Sequence, residues 1–350
     1  MDKSVTISTG QGKLTYMNFF RGFSIIMIVM VHCTTRYLDK EHFMYPYIHD
    51  FFVHSTNIFL FISGFLFEYL LYKEYPYSVY IHKKIKRLIV PYLFWSVPVV
   101  VAFMLTVHQS DWLRYFVWTM WTGLDHFNNA HWYIPFIFMI FVISPLFVCL
   151  QKRGVLYPFI MPVFMFVMLI SSRARLGWFY GMLNFFPLLG MFFFGMFVSH
   201  YRNTILKWYK FDYLLIIVGL LICFLRGYYE LDTAPHFEEA IAGLRHGLIS
   251  VNYGVLNKLF LSVGFLLLFY RISLRYNEVP FLDKLANYSF AVYFVHLYVA
   301  NTLSYALSLT GNKEGGVIWL IIMSAIVLGI SYGIISLLRQ FKITKNIIGV

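Results

Sequence analysis

Arg21 and His32 are the first residues in this chain whose types and spacing could do chemistry together. The run between them, Gly-Phe-Ser-Ile-Ile-Met-Ile-Val-Met-Val, reads as an apolar helix. Eleven steps of 100° make about three turns, so both side chains leave nearly one face. At about 1.5 Å per residue they sit roughly 16 Å apart along the axis. Ionisable groups inside a lipid-spanning helix are costly and face protein or a wet cavity. An Arg so placed can grip an anion while the His moves a proton. The plainer reading is an Arg that snorkels to the interface and a His bonded to a neighbouring helix.

Further groups could join them. Lys83-Lys84-Ile85-Lys86-Arg87 precedes an apolar run that begins near Pro91-Tyr92. Such a cluster is either a topology anchor or a phosphate site, since cations at i and i+3 converge on one polyanion. Asn57, Ser63-Gly64-Phe65 and Glu68 lie in a second apolar run. Gly64 permits close approach of a backbone or a ligand. Glu68 needs a partner, for which Arg21, Lys84 and Arg87 are candidates, most simply as a structural ion pair. The stretch Asp125 to Tyr133 carries Asn129, His131 and Trp132 at a membrane boundary, where aromatic residues are usually anchors. His296 is another imidazole at membrane depth, where a satisfied buried His is the commoner case.

The elements that must position these groups follow from composition. The 350 residues are 60% hydrophobic and 13% charged, with mean hydropathy +0.68, a balance no soluble globule of this size shows. Fold class is therefore all-α, a polytopic membrane protein forming one domain over residues 1–350. Residues 1–13 read as a cytoplasmic tail, and no appended soluble domain is expected. About ten spans follow, near 16–36, 47–72, 88–107, 132–150, 155–171, 182–199, 211–228, 254–271, 285–308 and 316–338. Asp111 to Thr122 reads as interfacial or re-entrant. Placing the N-terminus inside puts eighteen loop cations on the cytoplasmic side and nine opposite, so both termini are expected in the cytosol. The net charge of +12 resides in short loops between apolar runs, which argues against nucleic acid. Cys33, Cys149 and Cys223 have no metal-like spacing, so neither a zinc site nor a disulfide framework is expected.

Taken together, Arg21-x10-His32, Ser63-Gly64-Phe65, Lys84-x-x-Arg87 with Pro91-Tyr92, His131-Trp132-Tyr133, and Ser289…Tyr293-Phe294-Val295-His296 resemble the membrane acyltransferase 3 family, in order and over most of the chain. The resemblance implies about ten spans and transfer of an acyl group, mostly acetyl, from cytosolic acyl-CoA to an acceptor at the far face. Acceptors in that family are typically sugars of surface or secreted polysaccharides. It implies that His32 is catalytic with Arg21 its companion. It also implies that Lys84 and Arg87 match the family's Arg-x-x-Arg pair, associated with coenzyme A. Lys stands where the family usually has Arg, and a point charge replaces a fork there.

The residues agree with that chemistry. A cationic inner mouth suits the phosphates of coenzyme A, and about 16 Å suits its arm. A neutral His can take the proton of an acceptor hydroxyl. Expected site residues are His32 and Arg21 for catalysis, and Arg21, Lys84 and Arg87 for acyl-CoA. His131, Trp132 and Asn129 are expected toward the acceptor, with Glu68, Ser63 and His296 as further candidates. Acetyl-CoA is expected as co-substrate with no metal. Partners are a polysaccharide or lipid-linked glycan and membrane lipids, and a homo-oligomer stays open. The expected location is the plasma membrane. Two other classes stand beside this reading: a flippase or exporter of a lipid-linked sugar, and a receptor-like membrane protein whose ions are merely paired.

Overall fold

The structure is a computed structural model that describes residues 14–71, 76–107, 113–114, 116–118, 131–170, 180–233, 251–341 and 348. Among these residues it is all-helical, with one isolated bridge between Leu38 and Gly315 and no strand. α1 covers Thr15–Tyr37, α2 Tyr45–Phe52 and α3 Thr56–Leu71. α4 (Tyr77–Lys84) passes through a π-helical turn, Ile85–Ile89, into α5 (Val90–Val107). α6 is Tyr133–Val142 and α7 Ser144–Lys152, and a second π turn, Leu156–Ile160, opens α8 (Met161–Ile170). α9 (Tyr180–His200), α10 (Arg202–Ile205) and α11 (Asp212–Thr233) follow, then α12 (Tyr253–Ser273), α13 (Pro280–Ser308) and α14 (Val317–Leu338).

Six helical runs among the described residues are long and apolar enough to cross a membrane, and the bent pair α6–α7 would make a seventh. This is a multi-pass membrane architecture. Two expected spans are not single rods. The second is interrupted between α2 and α3, where His54 takes φ 62, a region that non-glycine residues seldom occupy. The fourth bends by 47° between α6 and α7. Pro145 in the first turn of α7 cannot donate to the preceding turn, which ends α6 there. The expected fifth span corresponds to a shorter apolar helix, Leu156–Ile170. Most of the Asp111 to Thr122 stretch lies outside the described residues, as does Asn129.

α1 is the central rod, packed against α13, α12, α14 and α3. Its buried hydroxyls return to their own helix, Ser24 Oγ to the Phe20 carbonyl at 2.7 Å and Thr34 Oγ1 to that of Met30 at 2.8 Å, so neither needs a partner elsewhere. Aromatic rings fill the space between rods, with Phe20 stacked on Phe269 at 5.8 Å and Tyr16 edge-on to Phe65 at 6.2 Å. α3 and α9 cross on two glycines. A Cβ on Gly64 would lie 1.9 Å from the Phe192 carbonyl oxygen, and one on Gly195 would lie 2.0 Å from that of Phe61. Of the two uses open to Gly64, the structure shows the approach of a backbone.

α1 and α13 run parallel with a fixed register. Arg21 meets Ala286 and Ser289, Arg36 meets Asn301, and the Tyr37 hydroxyl donates to the Ala300 carbonyl at 2.6 Å. Beyond α1, backbone bonds between Asp39, Gly315 and Tyr37 tie its C-terminal end to the entry of α14. Functional groups on the two helices are thereby held side by side along their whole length.

Candidate active site along α1 and α13

At the N-terminal end of α1, the half-buried Arg21 donates to the Ala286 carbonyl and to Ser289 Oγ, both at 3.2 Å. Ser289 in turn donates to Ala286 at 3.0 Å. The guanidinium is fixed by neutral acceptors on α13 and pairs with no acid among the described residues. Lys84 and Arg87 reach the same place from the start of the α4–α5 helix, and the three cations repel one another. The Lys84 ammonium lies 4.2 Å from the centre of the Phe141 ring and 5.2 Å from that of Tyr80. Burial first, then Arg21 and Arg87, push its pKa down to about 8. Three cations gathered with no acid partner among the described residues hold electrostatic energy that an incoming polyanion would release.

At the C-terminal end of α1, the His32 and His296 rings are 5.2 Å apart. The His296 Nδ1 is 2.7 Å from the Tyr293 carbonyl and 3.1 Å from that of Val292. Carbonyls only accept, so Nδ1 carries the proton. Its Nε2 is buried without a partner. The His32 ring makes no hydrogen bond among the described residues and is half-buried, whereas His296 is fully enclosed. His32 is thus the imidazole open to an incoming molecule, with His296 behind it. His131 is also enclosed, with ring contacts to Tyr92 at 5.9 Å, Phe294 at 5.6 Å and Tyr298 at 6.1 Å. It lies within electrostatic reach of His296. A line of hydroxyls leads from α3 into this end. Ser63 Oγ is 3.4 Å from the Tyr133 hydroxyl, and the Tyr133 ring is 5.9 Å from Tyr293.

Not every expected residue joins these two ends. Glu68 pairs with neither Arg21, Lys84 nor Arg87. Its Oε1 accepts from Gln151 Nε2 at 2.6 Å and meets His200 Nδ1 at 3.0 Å. These partners sit where α7 and α9 end, so Glu68 ties together three helices remote in sequence. Trp132 is half-buried and packs on Tyr133 and Phe136 at 6.2 Å. Arg36, counted in the sequence only as a loop charge, belongs to the site. It lies one turn beyond His32 on the same face and donates Nε–H to Asn301 Oδ1 at 2.8 Å. Four-residue spacing from His32 was the signal that could have found it.

A family profile described as an acyltransferase domain matches residues 14–336, nearly the whole chain. The chain belongs to the acyltransferase 3 family. Among curated proteins and among solved structures nothing matches it.

An acyltransferase needs three things: a hold on the donor, a base for the acceptor, and a stabiliser for the charge that forms on the carbonyl oxygen. This acyltransferase 3 chain has groups fit for each along the α1–α13 pair and at the start of the α4–α5 helix that meets its N-terminal end. Arg21, Lys84 and Arg87 can hold an anion. His32 offers an imidazole free of hydrogen bonds, and Arg36 is a cation beside it.

Proposed function

We propose that this chain is a membrane O-acyltransferase. It takes an acyl group, acetyl in the first instance, from cytosolic acyl-CoA and passes it to a hydroxyl of a surface or secreted polysaccharide, or of its lipid-linked precursor, at the outer face of the plasma membrane. Ten spans with both termini in the cytosol accompany the reading. They rest on the apolar runs and on the eighteen-to-nine bias of loop cations. The observation that carries the proposal is the arrangement along α1: three cations with no acid partner among the described residues at one end and a half-buried imidazole at the other. The cations take the phosphates of coenzyme A. The arm follows α1, and the thioester arrives beside His32. His131 and Trp132 border the side from which the acceptor docks; Asn129, assigned to the same role from the sequence, lies outside the described residues.

In the reaction, His32 takes the proton of the acceptor hydroxyl as its oxygen attacks the thioester carbonyl. The carbonyl electron pair moves to oxygen, then returns as the carbon–sulfur bond breaks. The departing thiolate receives the proton from His32. Donor and acceptor meet at one imidazole, so no covalent relay through the enzyme is required. The His296 ring, 5.2 Å away, packs beside that of His32.

Purified protein should consume acetyl-CoA and release free coenzyme A thiol, which neither a flippase nor a receptor-like protein would do. The His32→Ala variant should lose at least about 10²-fold in turnover while keeping its fold and its affinity for acetyl-CoA. Near-normal turnover in that variant would remove the base role. Retained activity there, together with loss in His296→Ala, would move the base to His296. Mass spectrometry after mixing with acetyl-CoA alone tests the order of steps, since a stable acetyl adduct on His32 would indicate a relay.

A further inference from the structure

Arg36 has an environment unlike that of a loop charge. It lies in the last turn of α1 and is half-buried. Its Nε–H donates to Asn301 Oδ1 at 2.8 Å, and its Nη1 donates to the His32 carbonyl at 2.9 Å and to Thr35 Oγ1 at 3.4 Å. The guanidinium is therefore pulled back toward the turn that carries His32 and is steadied from α13. It makes no ion pair among the described residues. Its Nη2 has no hydrogen-bond partner there, although a guanidinium carries five donors. Both His32 and His296 feel its charge. A rigidly held cation with unused donors beside the base is the arrangement that stabilises negative charge only when it forms.

We propose that Arg36 is a catalytic residue of this site, which stabilises the oxyanion of the tetrahedral intermediate, with Asn301 as the residue that positions it. The inference rests on the acyltransferase reading above. As the acceptor oxygen bonds to the thioester carbon, the carbonyl π pair moves onto its oxygen, and that oxygen forms within reach of Nη2. When the pair returns and the carbon–sulfur bond breaks, the thiolate leaves with the proton held on His32, and Arg36 is released unchanged. No other reactant is needed. Arg21 cannot serve, because it stands about three helical turns away and binds α13.

The test uses two nucleophiles against acetyl-CoA: water, which needs a base, and hydroxylamine, which attacks with little base assistance. Both pass through the same oxyanion. Arg36→Gln should keep its acetyl-CoA affinity and lose about 10²-fold in kcat with either nucleophile. Arg36→Lys should recover part of the loss, since an ammonium keeps the charge but not the fork. His32→Ala should behave differently, with a large loss toward water that shrinks with hydroxylamine. The assignment is overturned if folded Arg36→Gln turns over within about twofold of wild type. It is also overturned if its loss vanishes at saturating hydroxylamine, or shrinks as the His32 loss does. Should Arg36→Gln fail to fold, Asn301→Ala frees Nε and should lower kcat roughly tenfold with both nucleophiles, and an unchanged kcat there overturns the assignment. A wild-type protein inert toward acetyl-CoA with both nucleophiles would sink the acyltransferase reading itself, whereas an active wild type with a silent variant concerns Arg36 alone.

Discussion

Two sets of cations in this bundle contrast, one answered within the scaffold and one along the proposed site. In one group every charge is answered. Arg226 Nη1 lies 2.6 Å from Asp50, whose side chain is 1% exposed, and Arg271 Nη2 lies 2.9 Å from Asp212. Lys258 is fully enclosed and donates to the Phe51 carbonyl at 2.6 Å, at the C-terminus of α2. A cation there satisfies orphan carbonyls and complements the helix dipole. In the other group, Arg21, Lys84, Arg87 and Arg36 have no acid partner among the described residues. Arg87 is exposed, but Arg21, Lys84 and Arg36 are half-buried, and partly desolvated charge of one sign raises the free energy of the fold. The paired group repays its burial within the structure. In the second group Arg21 and Arg36 have neutral acceptors but no counter-charge among the described residues, and all four of its members lie along α1 and α13 or at their cationic end.

Substitution should split the groups. Replacing Arg21 and Arg87 together by Gln removes charge-assisted contacts worth about 1.5–3 kcal/mol each, and acetyl-CoA affinity should fall by roughly 100-fold or more. Thermal stability should hold or rise in that variant, because mutual repulsion is relieved. A fall in Tm with unchanged affinity would erase the distinction. Asp50→Asn should do the reverse. Arg226 loses its ion pair with Asp50, and because its side chain is 27% exposed the cost should lie between the surface value of about 1 kcal/mol and the buried value of about 4 kcal/mol. Calorimetry of the folded variant should show that loss, with acetyl-CoA binding as in wild type.

The smallest effect is a pH dependence. With its pKa pushed down to about 8, Lys84 is charged at pH 7 and loses its proton as pH rises beyond that value. Affinity for acetyl-CoA should therefore be highest below pH 8 and weaken severalfold toward pH 9. Lys84→Arg, whose guanidinium stays charged, should abolish the decline, and a wild-type affinity flat across this range would remove Lys84 from the donor site. Titration calorimetry at pH 7, 8 and 9 would read both.

Much of this was legible in the sequence, because each legible feature is a local one. Helical spacing puts Arg21 and His32 on one face of α1, and the structure keeps them on the face toward α13. Ser289 and His296, seven residues apart on α13, take their places opposite. What local spacing cannot give is the partner of a buried group. Glu68 meets Gln151 and His200, at 83 and 132 residues' distance, and only the packing of α3 against α9 and α7 brings them within reach. Arg36 was obscured for another reason. Counting loop charges to orient a membrane protein treats every cation near a span end as an anchor, so a half-buried cation held in a last turn is indistinguishable from the rest. The breaks at His54 and between α6 and α7 escape hydropathy altogether, since an apolar run stays apolar whether straight or bent.

The π-helical turn Ile85–Ile89 bears on how such a site could change over descent. A π turn holds one residue more than the α-helical turn it replaces. The segment before it is therefore rotated by about 100° relative to the span after it. Lys84 is aimed over Phe141 while Leu88 and Tyr92 remain in the core. A single inserted codon takes this form in a helix whose two ends each already have a place to face. Losing one residue from the turn would restore a regular helix at little cost to the span and swing the basic segment off Arg21. The proposed donor site could thus be silenced in one genetic step, with the fold of the bundle left standing.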